Sequence, residues 1–481
     1  MNTESGVQES SATDGRSHWG ALILLCLGLV AISIDSTVVV VALPSIKADL
    51  GFSSASLVGV VNAYGASYGG SLLLCGRLGD HFGYRRVFLL AIVVFTMASV
   101  GCALSTTKLA LIVWRFVQGL AGASVETTAF SIIVTMFQDT SARARAMGVF
   151  GFVCGGGGIA GLLAGGLLTT KLNWHWIFLV NLPIGIAVYT IALVILPKDP
   201  KVLSRVPLDL AGAGTITASM IVAIFAIQGV DASGWRSAMT LSLFIGAVAL
   251  FVIFLQIESR VQAPLVPLPM FRLHNLLIAS VASGLSSVVG SATIFIAQYM
   301  QFVLKCNPLE VGLAFVPSSL VMAIFSLGLS GRLVIRFGFK WPLVLGLLLS
   351  SFGLILLTQA SVDGTVLSNV IPGLTLVGLG IGIGCNPMLV AAMSEVPPGD
   401  IGVATGIIAT STMFGNALGI AVLASTSAIY TQRLHASGVP SIAAVNGSYH
   451  IVFLLSAILN AVAVPVVLRL RRISRSPAET L

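Results

Sequence analysis

The sequence carries very little charge for its length. Aspartate, glutamate, lysine and arginine together make up 9% of its 481 residues, whereas 56% of the residues are hydrophobic. A soluble domain has about 25% charged residues, so this scarcity excludes a water-soluble globular protein. The charges that remain are therefore informative, because each of them lies in a chain that is otherwise built to avoid water.

Several chemistry-bearing patterns are also absent. The six cysteines show no paired spacing typical of metal ligands or of a disulfide framework. No Gly-x-x-x-x-Gly-Lys-Ser/Thr loop for ATP occurs, and neither His-Glu-x-x-His nor Gly-x-Ser-x-Gly is present. We therefore expect no metal, no cofactor and no enzymatic activity.

What the sequence does contain is fourteen apolar runs of about 20 residues. Each is long enough to cross a hydrocarbon core of about 30 Å as a helix, which predicts an all-α polytopic membrane protein. The first run is too long for a signal peptide, and no basic segment precedes it, so we expect no cleavage. The runs lie near residues 20–42, 56–76, 87–105, 109–131, 146–169, 176–196, 210–229, 239–257, 276–300, 309–331, 342–359, 368–392, 402–427 and 450–469.

The distribution of lysine and arginine predicts the orientation of these runs. When the loops between them are assigned alternately to two sides, eighteen of the 25 cations fall on one side and six on the other, and Arg115 lies within a run. Cytoplasmic loops carry the excess of Lys and Arg, so both termini are predicted to be cytoplasmic. The net charge of +8 is then a topology signal, and we expect no nucleic acid partner.

A short charged stretch occurs twice. Residues 76–86 read GRLGDHFGYRR, and residues 331–341 read GRLVIRFGFKW, with Gly-Arg-Leu, Phe-Gly and a final cation at the same spacing. The two stretches follow the second and the tenth run. Chance recurrence in a chain rich in Gly and Leu is the alternative, but the equivalent positions favour an internal duplication, as in transporters built from parallel repeats. The predicted organisation is a disordered cytoplasmic tail (1–18), an N-terminal six-helix bundle (19–196), a linker with two extra transmembrane helices (197–275), a C-terminal six-helix bundle (276–470) and a basic cytoplasmic tail (471–481).

Residues 76–86 resemble the cytoplasmic motif of the major facilitator superfamily, Gly-x-x-x-Asp-x-x-Gly-x-Arg-Arg. Four further segments resemble its fourteen-span drug:proton antiporter branch, and the similarity extends from Trp19 to Arg469. The resemblance implies the major facilitator fold, with two six-helix bundles plus two inserted helices. The four segments read IDSTVVVVALP (34–44), RFVQGLAGA (115–123), NWHWIFLVNLPIG (173–185) and ESRVQAPLVPLPMF (258–271).

Two charges lie within the predicted spans. Asp35 precedes the outer end of its run at Pro44 by nine residues, about 13 Å, and Arg115 follows Lys108 by seven residues, about 10 Å. Their similar depth allows them to pair, and a partly desolvated carboxylate beside an arginine is suited to binding and releasing protons. The family resemblance implies a role in proton coupling for both residues. A structural ion pair is the alternative.

The run that contains Arg115 also carries a polar stripe. Gln118, Gly119, Gly122 and Glu126 follow Arg115 at helical spacing, so this stripe faces protein or a water-filled cavity. Glu126 is too far along the helix to pair with Arg115, and it is either a cation-attracting or second proton site or an interfacial residue. The residues that we expect to line a substrate cavity are Glu126, Gln118, Asn62, Gln298, Gln301, Asn386 and Asn416.

The turn at residues 76–86, referred to below as the charged corner, is predicted to work as a conformational latch. Gly79 and Gly83 permit a tight turn, and Asp80 can cap a helix or accept from a cation. Topology anchoring alone is the alternative for the arginines. In the second copy Ile335 replaces the aspartate, so any latch there should be weaker. The latch residues are Gly76, Asp80, Gly83, Arg85 and Arg86.

The fifth run is rich in glycine, which lets helices approach closely in lipid. We interpret Gly157, Gly161, Gly165 and Gly166 as helix-packing positions. The exporter motif of the family has a proline where this chain has Leu162, which leaves the direction of transport open. His175 also departs from the family, whose members usually have arginine there.

The leading hypothesis is a proton-coupled secondary transporter that exports hydrophobic or amphipathic small molecules, such as drugs, antibiotics or toxic metabolites, by alternating access. The alternative is an exporter or proton-linked importer of one specific endogenous metabolite. A channel is disfavoured because a duplicated chain with few buried charges suits alternating access better. We expect a monomer in the plasma or inner membrane, in contact with lipid, small-molecule substrate and protons, which acts either alone or with accessory export proteins.

Overall fold

The computed structural model describes most of the chain. The described residues are 4–52, 54–137, 139, 142, 143, 145–150, 153, 157, 161, 168, 172–199, 209–233, 237–261, 268–306, 308–397 and 400–471. Two compact units are present: the first comprises Met1–Leu265 with Gly399–Gly406, and the second comprises Val266–Pro398 with Ile407–Leu481. The predicted domain boundaries at 196, 275 and 470 stay predictions.

The described part of the first unit is helical. Its first helix begins within the segment for which the sequence predicted a disordered tail, as a continuous extension of the apolar helix that follows. The helices of this unit are α1 (Glu4–Leu50), α2 (Ser54–Phe82), α3 (Tyr84–Ala103), α4 (Lys108–Met136), α5 (His175–Leu179), α6 (Asn181–Ile195), α7 (Leu210–Ser233) and α8 (Ala238–Glu258).

The second unit is helical as well. Its last helix but one, α15 (Ile401–Ala436), begins in the segment that belongs to the first unit and continues along the chain into the second. The helices are α9 (His274–Ser286), α10 (Val288–Phe302), α11 (Pro308–Ile324), α12 (Gly331–Phe337), α13 (Lys340–Leu357), α14 (Ile371–Met393), α15 (Ile401–Ala436) and α16 (Ser441–Val467).

Apolar, glycine-rich sequences form these helices because lipid offers the backbone no hydrogen-bond partner, so every amide must be satisfied within the segment. Among the described residues, eleven helical segments are long and apolar enough to cross a membrane, and Ala211–Ile227 is a shorter apolar helix. The predicted total of fourteen spans and the cytoplasmic termini stay predictions.

Within the first unit, α4 packs against α1, α2 and α3, and α6 packs against α1 and α3. This arrangement brings α1, α3, α4 and α6 around one small volume. The inserted helices form a pair in which α7 packs on both α2 and α8. A hydrophobic cluster near the ends of α1 and α4 includes Val38, Leu111 and Phe178, all with at most 1% of their surface exposed.

Within the second unit, α14 packs against α11 and α13, and α16 packs against α9, α10 and α13. The hydrophobic core here includes Tyr299, Leu354 and Phe453, each fully buried. The buried tyrosine has a hydrogen-bond partner within the same unit, because the Tyr299 hydroxyl donates to the Ser361 carbonyl over 2.8 Å. This unit is therefore held together by apolar contacts and by hydrogen bonds, including one from the Asn275 backbone amide to the Glu395 carboxylate over 3.0 Å.

The charged corner (76–86) and the similar stretch at 331–341 share a backbone conformation. Gly83 has a φ of +95° and Gly338, at the equivalent position of the second stretch, has a φ of +72°. L-amino acids with a side chain rarely adopt this left-handed region, so glycine is required at both places. The shared conformation is what an internal duplication predicts.

Candidate functional site

A buried ion pair lies at the centre of the first unit. Asp35 on α1 has 0% and Arg115 on α4 has 1% of its side chain exposed, and Arg115 Nη1 donates to Asp35 Oδ2 over 2.6 Å. Charges removed from water in this way are tolerated when the geometry is good and the remaining polar atoms have partners. The pairing anticipated from the depths of the two residues is present.

Two amide side chains complete the surroundings of the carboxylate. Gln118 Nε2 and Asn181 Nδ2 both donate to Asp35 Oδ1, over 2.8 and 2.9 Å. The same two nitrogens lie 2.8 and 3.3 Å from the Ser99 hydroxyl oxygen. Asp35 thus accepts three hydrogen bonds from three donors, an arrangement that fits its ionised form.

Arg115 is held by its own set of partners. Its Nη1 also donates to Gln118 Oε1 over 2.7 Å, and its Nε donates to the Val60 carbonyl over 3.5 Å. The guanidinium carbon lies 4.2 Å from the centre of the Tyr64 ring and 5.8 Å from that of Phe178. Aromatic faces attract a cation electrostatically, so hydrogen bonds and rings together compensate Arg115 for the loss of water.

Sequence reasoning missed Asn181 and Ser99 in this group. Asn181 stands alone among apolar residues in the stretch LVNLPIG, and a polar side chain in such a run was the available signal. It is the first residue of α6, which follows the short helix α5, and it is 1% exposed. Gln118, predicted to line a cavity, is instead fully buried and bonded to Asp35 and Arg115.

Glu126 lies two turns beyond Gln118 on α4 and is half-buried. Among the described residues it makes no hydrogen bond and no ion pair. One turn before it, Gly122 faces two aromatic rings: a Cβ added there would lie 3.2 Å from the Tyr64 hydroxyl and 3.3 Å from the Tyr68 ring. The Tyr64 hydroxyl is buried without a hydrogen-bond partner in the described part of the chain.

The other predicted cavity residues are in different surroundings. Asn62 and Gln298 are half-buried, and Gln301 is exposed near the end of α10. Asn386 is fully buried within α14. Asn416 Oδ1 accepts from the Ser291 hydroxyl over 2.8 Å, which joins α15 to α10 within the second unit. Within the first unit, the described hydrogen-bond partners of Asp35 include Gln118 but not Asn62.

The charged corner holds the first turn of α15, all within the first unit. Asp80 Oδ1 accepts from the Gly402 amide over 3.0 Å and Asp80 Oδ2 accepts from the Val403 amide over 3.1 Å. The Tyr84 hydroxyl donates to the same carboxylate. The first amides of a helix have no partner within it and carry partial positive charge, so Asp80 acts as their acceptor.

The environment of Asp80 also changes its acidity. This residue lies beyond the apolar run 56–76, at the end of α2, and burial raises its pKa from 3.8 to about 6. The hydrogen bonds from Tyr84, Gly402 and Val403 act in the opposite direction, as does the charge of Arg77. Gly76 allows the close approach, because a Cβ there would collide with the Gly402 carbonyl.

The other side of the corner is capped by a residue that sequence reasoning did not identify. Asp199 Oδ1 accepts from the Arg85 amide over 3.0 Å and Asp199 Oδ2 accepts from the Arg86 amide over 3.1 Å, at the first turn of α3. The Arg85 guanidinium donates to the Leu193 carbonyl over 2.7 Å. The two predicted latch arginines therefore contact the end of α6 and the segment after it.

The predicted packing glycines are described in part. A Cβ on Gly157 would collide with Ser33, and one on Gly161 would collide with Thr37 and with the backbone of Ile34. Both glycines thus let the chain approach α1 around Asp35. Gly165, Gly166 and Leu162 lie outside the described residues. No cluster of three or more potential metal ligands occurs among the residues that were described.

Comparisons with known proteins agree on one family. The sequence matches the Major Facilitator Superfamily model over residues 25–208 and 210–420. It is 34% identical over 455 residues to the puromycin resistance protein pur8 of Streptomyces alboniger, covering 92% of this chain and 89% of that protein. It is 34% identical over 408 residues to the cephamycin export protein CmcT of Amycolatopsis lactamdurans, covering 84% of each. The fold resembles that of the human organic anion transporter MFSD10 (TETRAN), with a TM-score of 0.63 at 17% identity over 92% of this chain and 99% of that one.

Proposed function

Because this chain belongs to the Major Facilitator Superfamily, we propose that it is a proton-coupled secondary transporter that exports hydrophobic or amphipathic small molecules by alternating access. The family consists of transporters, and the chain is a multi-pass membrane protein. The relatives named for puromycin resistance and for cephamycin export support export of antibiotic-like compounds. The observation that carries the coupling is the buried pair of Asp35 and Arg115.

The pair suits proton coupling because its two charge states need different surroundings. Ionised Asp35 is balanced by Arg115 and by two amide donors. Protonation of the carboxyl removes the charge that balances Arg115, so the arrangement of α1 against α4 that is stable with the ion pair is less stable without it. Binding a proton from one side of the membrane and releasing it to the other then drives the exchange.

The latch residues supply a second element of the proposal. Asp80 stabilises the first turn of α15 through the amides of Gly402 and Val403, and Asp199 stabilises the first turn of α3. Breaking either set of bonds exposes helix amides that need another acceptor. We propose that these contacts hold one conformation of the transport cycle and open in another.

Substrate recognition is proposed for Glu126 with Asn62, Gln298, Gln301, Asn386 and Asn416. Glu126 is the one of these that carries charge, and its side chain makes no hydrogen bond or ion pair with the described residues. The alternative, transport of one endogenous metabolite by export or proton-linked uptake, is favoured by Leu162, which replaces the proline of the exporter motif. We place the protein as a monomer in the plasma or inner membrane.

The proposal is tested with the purified full-length chain in liposomes under an imposed pH gradient. Puromycin serves as the first substrate, beside a neutral and an anionic antibiotic. We expect uptake into the acidic lumen that an ionophore abolishes, and no gradient-driven uptake by Asp35→Asn. Asn460→Leu, a substitution of a buried amide in the second unit, is the control for general damage. If the ionophore leaves the uptake of every tested compound unchanged, proton coupling is contradicted.

A further inference from the structure

Asn181 has one polar atom that the ion-pair site leaves unused. Its Nδ2 donates to Asp35 Oδ1 over 2.9 Å and lies 3.3 Å from Ser99 Oγ. Its Oδ1 is buried and has no hydrogen-bond partner among the described residues. Buried side-chain oxygens nearly always accept a hydrogen bond, so this atom needs an explanation.

Gln118 bonds to the same carboxylate oxygen but has no unused atom. Its Oε1 accepts from Arg115 Nη1 over 2.7 Å and from the Cys102 thiol over 3.6 Å, and its Nε2 donates to Asp35 and to Ser99. Turning this amide over would direct its NH₂ group at the guanidinium. Towards Asp35, Gln118 is therefore restricted to the role of a donor, whereas Asn181 is free to turn.

The two charge states of Asp35 require opposite partners. A carboxylate only accepts hydrogen bonds, whereas a carboxylic acid also has an O–H that must donate. Asp35 Oδ2 faces Arg115 at 2.6 Å, so a proton there would displace the guanidinium. Asp35 Oδ1 faces the two amides, and a proton there needs one amide to present its oxygen. The hydroxyl of Ser99, which donates to the Phe95 carbonyl, can rotate to follow such a change.

We propose that Asn181 is a positioning residue that serves both charge states of Asp35: its Nδ2 donates to the carboxylate and, after the amide turns over, its Oδ1 accepts the O–H of the acid. This inference rests on the proposed function, because it assumes that Asp35 gains and loses a proton. The proton comes from the solution on one side of the membrane and leaves to the other, and no other bond forms or breaks.

The experiment is infrared difference spectroscopy of the full-length chain in lipid while the pH is changed. The carbonyl stretch of protonated Asp35 is identified as the band that disappears in Asp35→Asn. We expect this band to shift to higher wavenumber in Asn181→Leu, because the acid loses its acceptor. Gln118→Leu is the matched control: it removes a donor to the same oxygen, and we expect no such shift.

Two further variants protect the test from a folding failure. Asn181→Ala replaces Asn181→Leu if the leucine variant does not fold, and the same shift is expected. Asn181→Thr, whose hydroxyl both donates and accepts, is expected to restore the band towards its original position. A role in packing alone would leave the band unmoved in the leucine and alanine variants.

The result that overturns the inference is an unchanged Asp35 band in Asn181→Leu or Asn181→Ala. The absence of any Asp35-dependent band over the accessible pH range overturns it as well, because Asn181 would then have no acid to bind. The readout does not depend on transport. A shifted band together with transport that ignores the pH gradient would support the role of Asn181 and contradict the proposed function.

Discussion

The two units are built from similar long helices but differ in the charge that they bury. In the first unit the buried side chains include Asp35, Arg115 and Glu258, whereas the buried polar side chains described in the second unit are all neutral. The related corners differ in the same way: Asp80 is bonded to two helix amides, and its counterpart Ile335 is 48% exposed. Among the described residues, the two units thus share long helices and glycine turns, whereas the buried charged side chains lie in the first unit.

The largest expected effect is the loss of a buried charge from the first unit. It is compared with the loss of a buried neutral group from the second unit, in a separate variant. Arg115→Leu leaves the Asp35 carboxylate without its counter-ion, and we expect it to lower the free energy of unfolding by about 3–5 kcal/mol and to abolish gradient-driven transport. Asn460→Leu breaks two 2.9 Å bonds, to the Leu347 carbonyl and the Ser351 hydroxyl. We expect about 1–3 kcal/mol and retained transport.

Unfolding is followed by denaturant titration in detergent, and transport is followed in liposomes. Equal losses of stability in the two variants would remove the energetic distinction between the units. Loss of gradient-driven transport in Asn460→Leu would show that the second unit takes part in coupling.

A smaller effect is expected at the glycines of the two corners. An alanine at Gly83 or Gly338 must adopt a positive φ, which costs about 1–2 kcal/mol. At Gly83 the added Cβ would also collide with the Asp199 carboxylate, whereas no described atom lies within 4 Å of a Cβ at Gly338. Gly83→Ala should therefore destabilise more than Gly338→Ala in the same titration. The reverse order would mean that the Asp199 cap does not constrain the corner.

A further comparison concerns the pH dependence of stability. Burial raises the pKa of Asp80 from 3.8 to about 6, so between these values the folded chain holds a proton that the unfolded chain has released. The free energy of unfolding then falls as the pH rises from about 4 to about 6. Asp80→Asn should remove this component, and Ile335→Asp, at an exposed position of the other corner, should add none. A wild-type slope that persists in Asp80→Asn would assign it to another group.

Much of the architecture was predictable because it depends on local properties. Hydropathy over about 20 residues predicts the helices, and eleven of the described segments have the required length and composition. Asp35 and Arg115 were identified because a charge in an apolar run is costly and rare. Asp80 and Gly83 were identified because their residue types and spacing recur in a known corner.

The rest of the site was not predictable in this way. Gln118 was predicted to line a cavity because a polar stripe indicates that one face of α4 avoids lipid. The stripe does not indicate which residues that face contacts. Asp199 lies in a polar segment where an aspartate has no distinctive signal. It caps α3 only because the end of α6 returns to the start of that helix.

By itself the sequence determined the helical membrane class, the corner with its obligatory glycine and the two charges placed at similar depth. Each of these follows from the composition or spacing of neighbouring residues. Only the tertiary structure decided that Asn181 and Ser99 join the group around Asp35, that Gln118 donates to Asp35, and that Asp80 caps α15. These contacts join residues on different helices that are far apart along the chain, so they depend on how the helices pack and not on any local pattern.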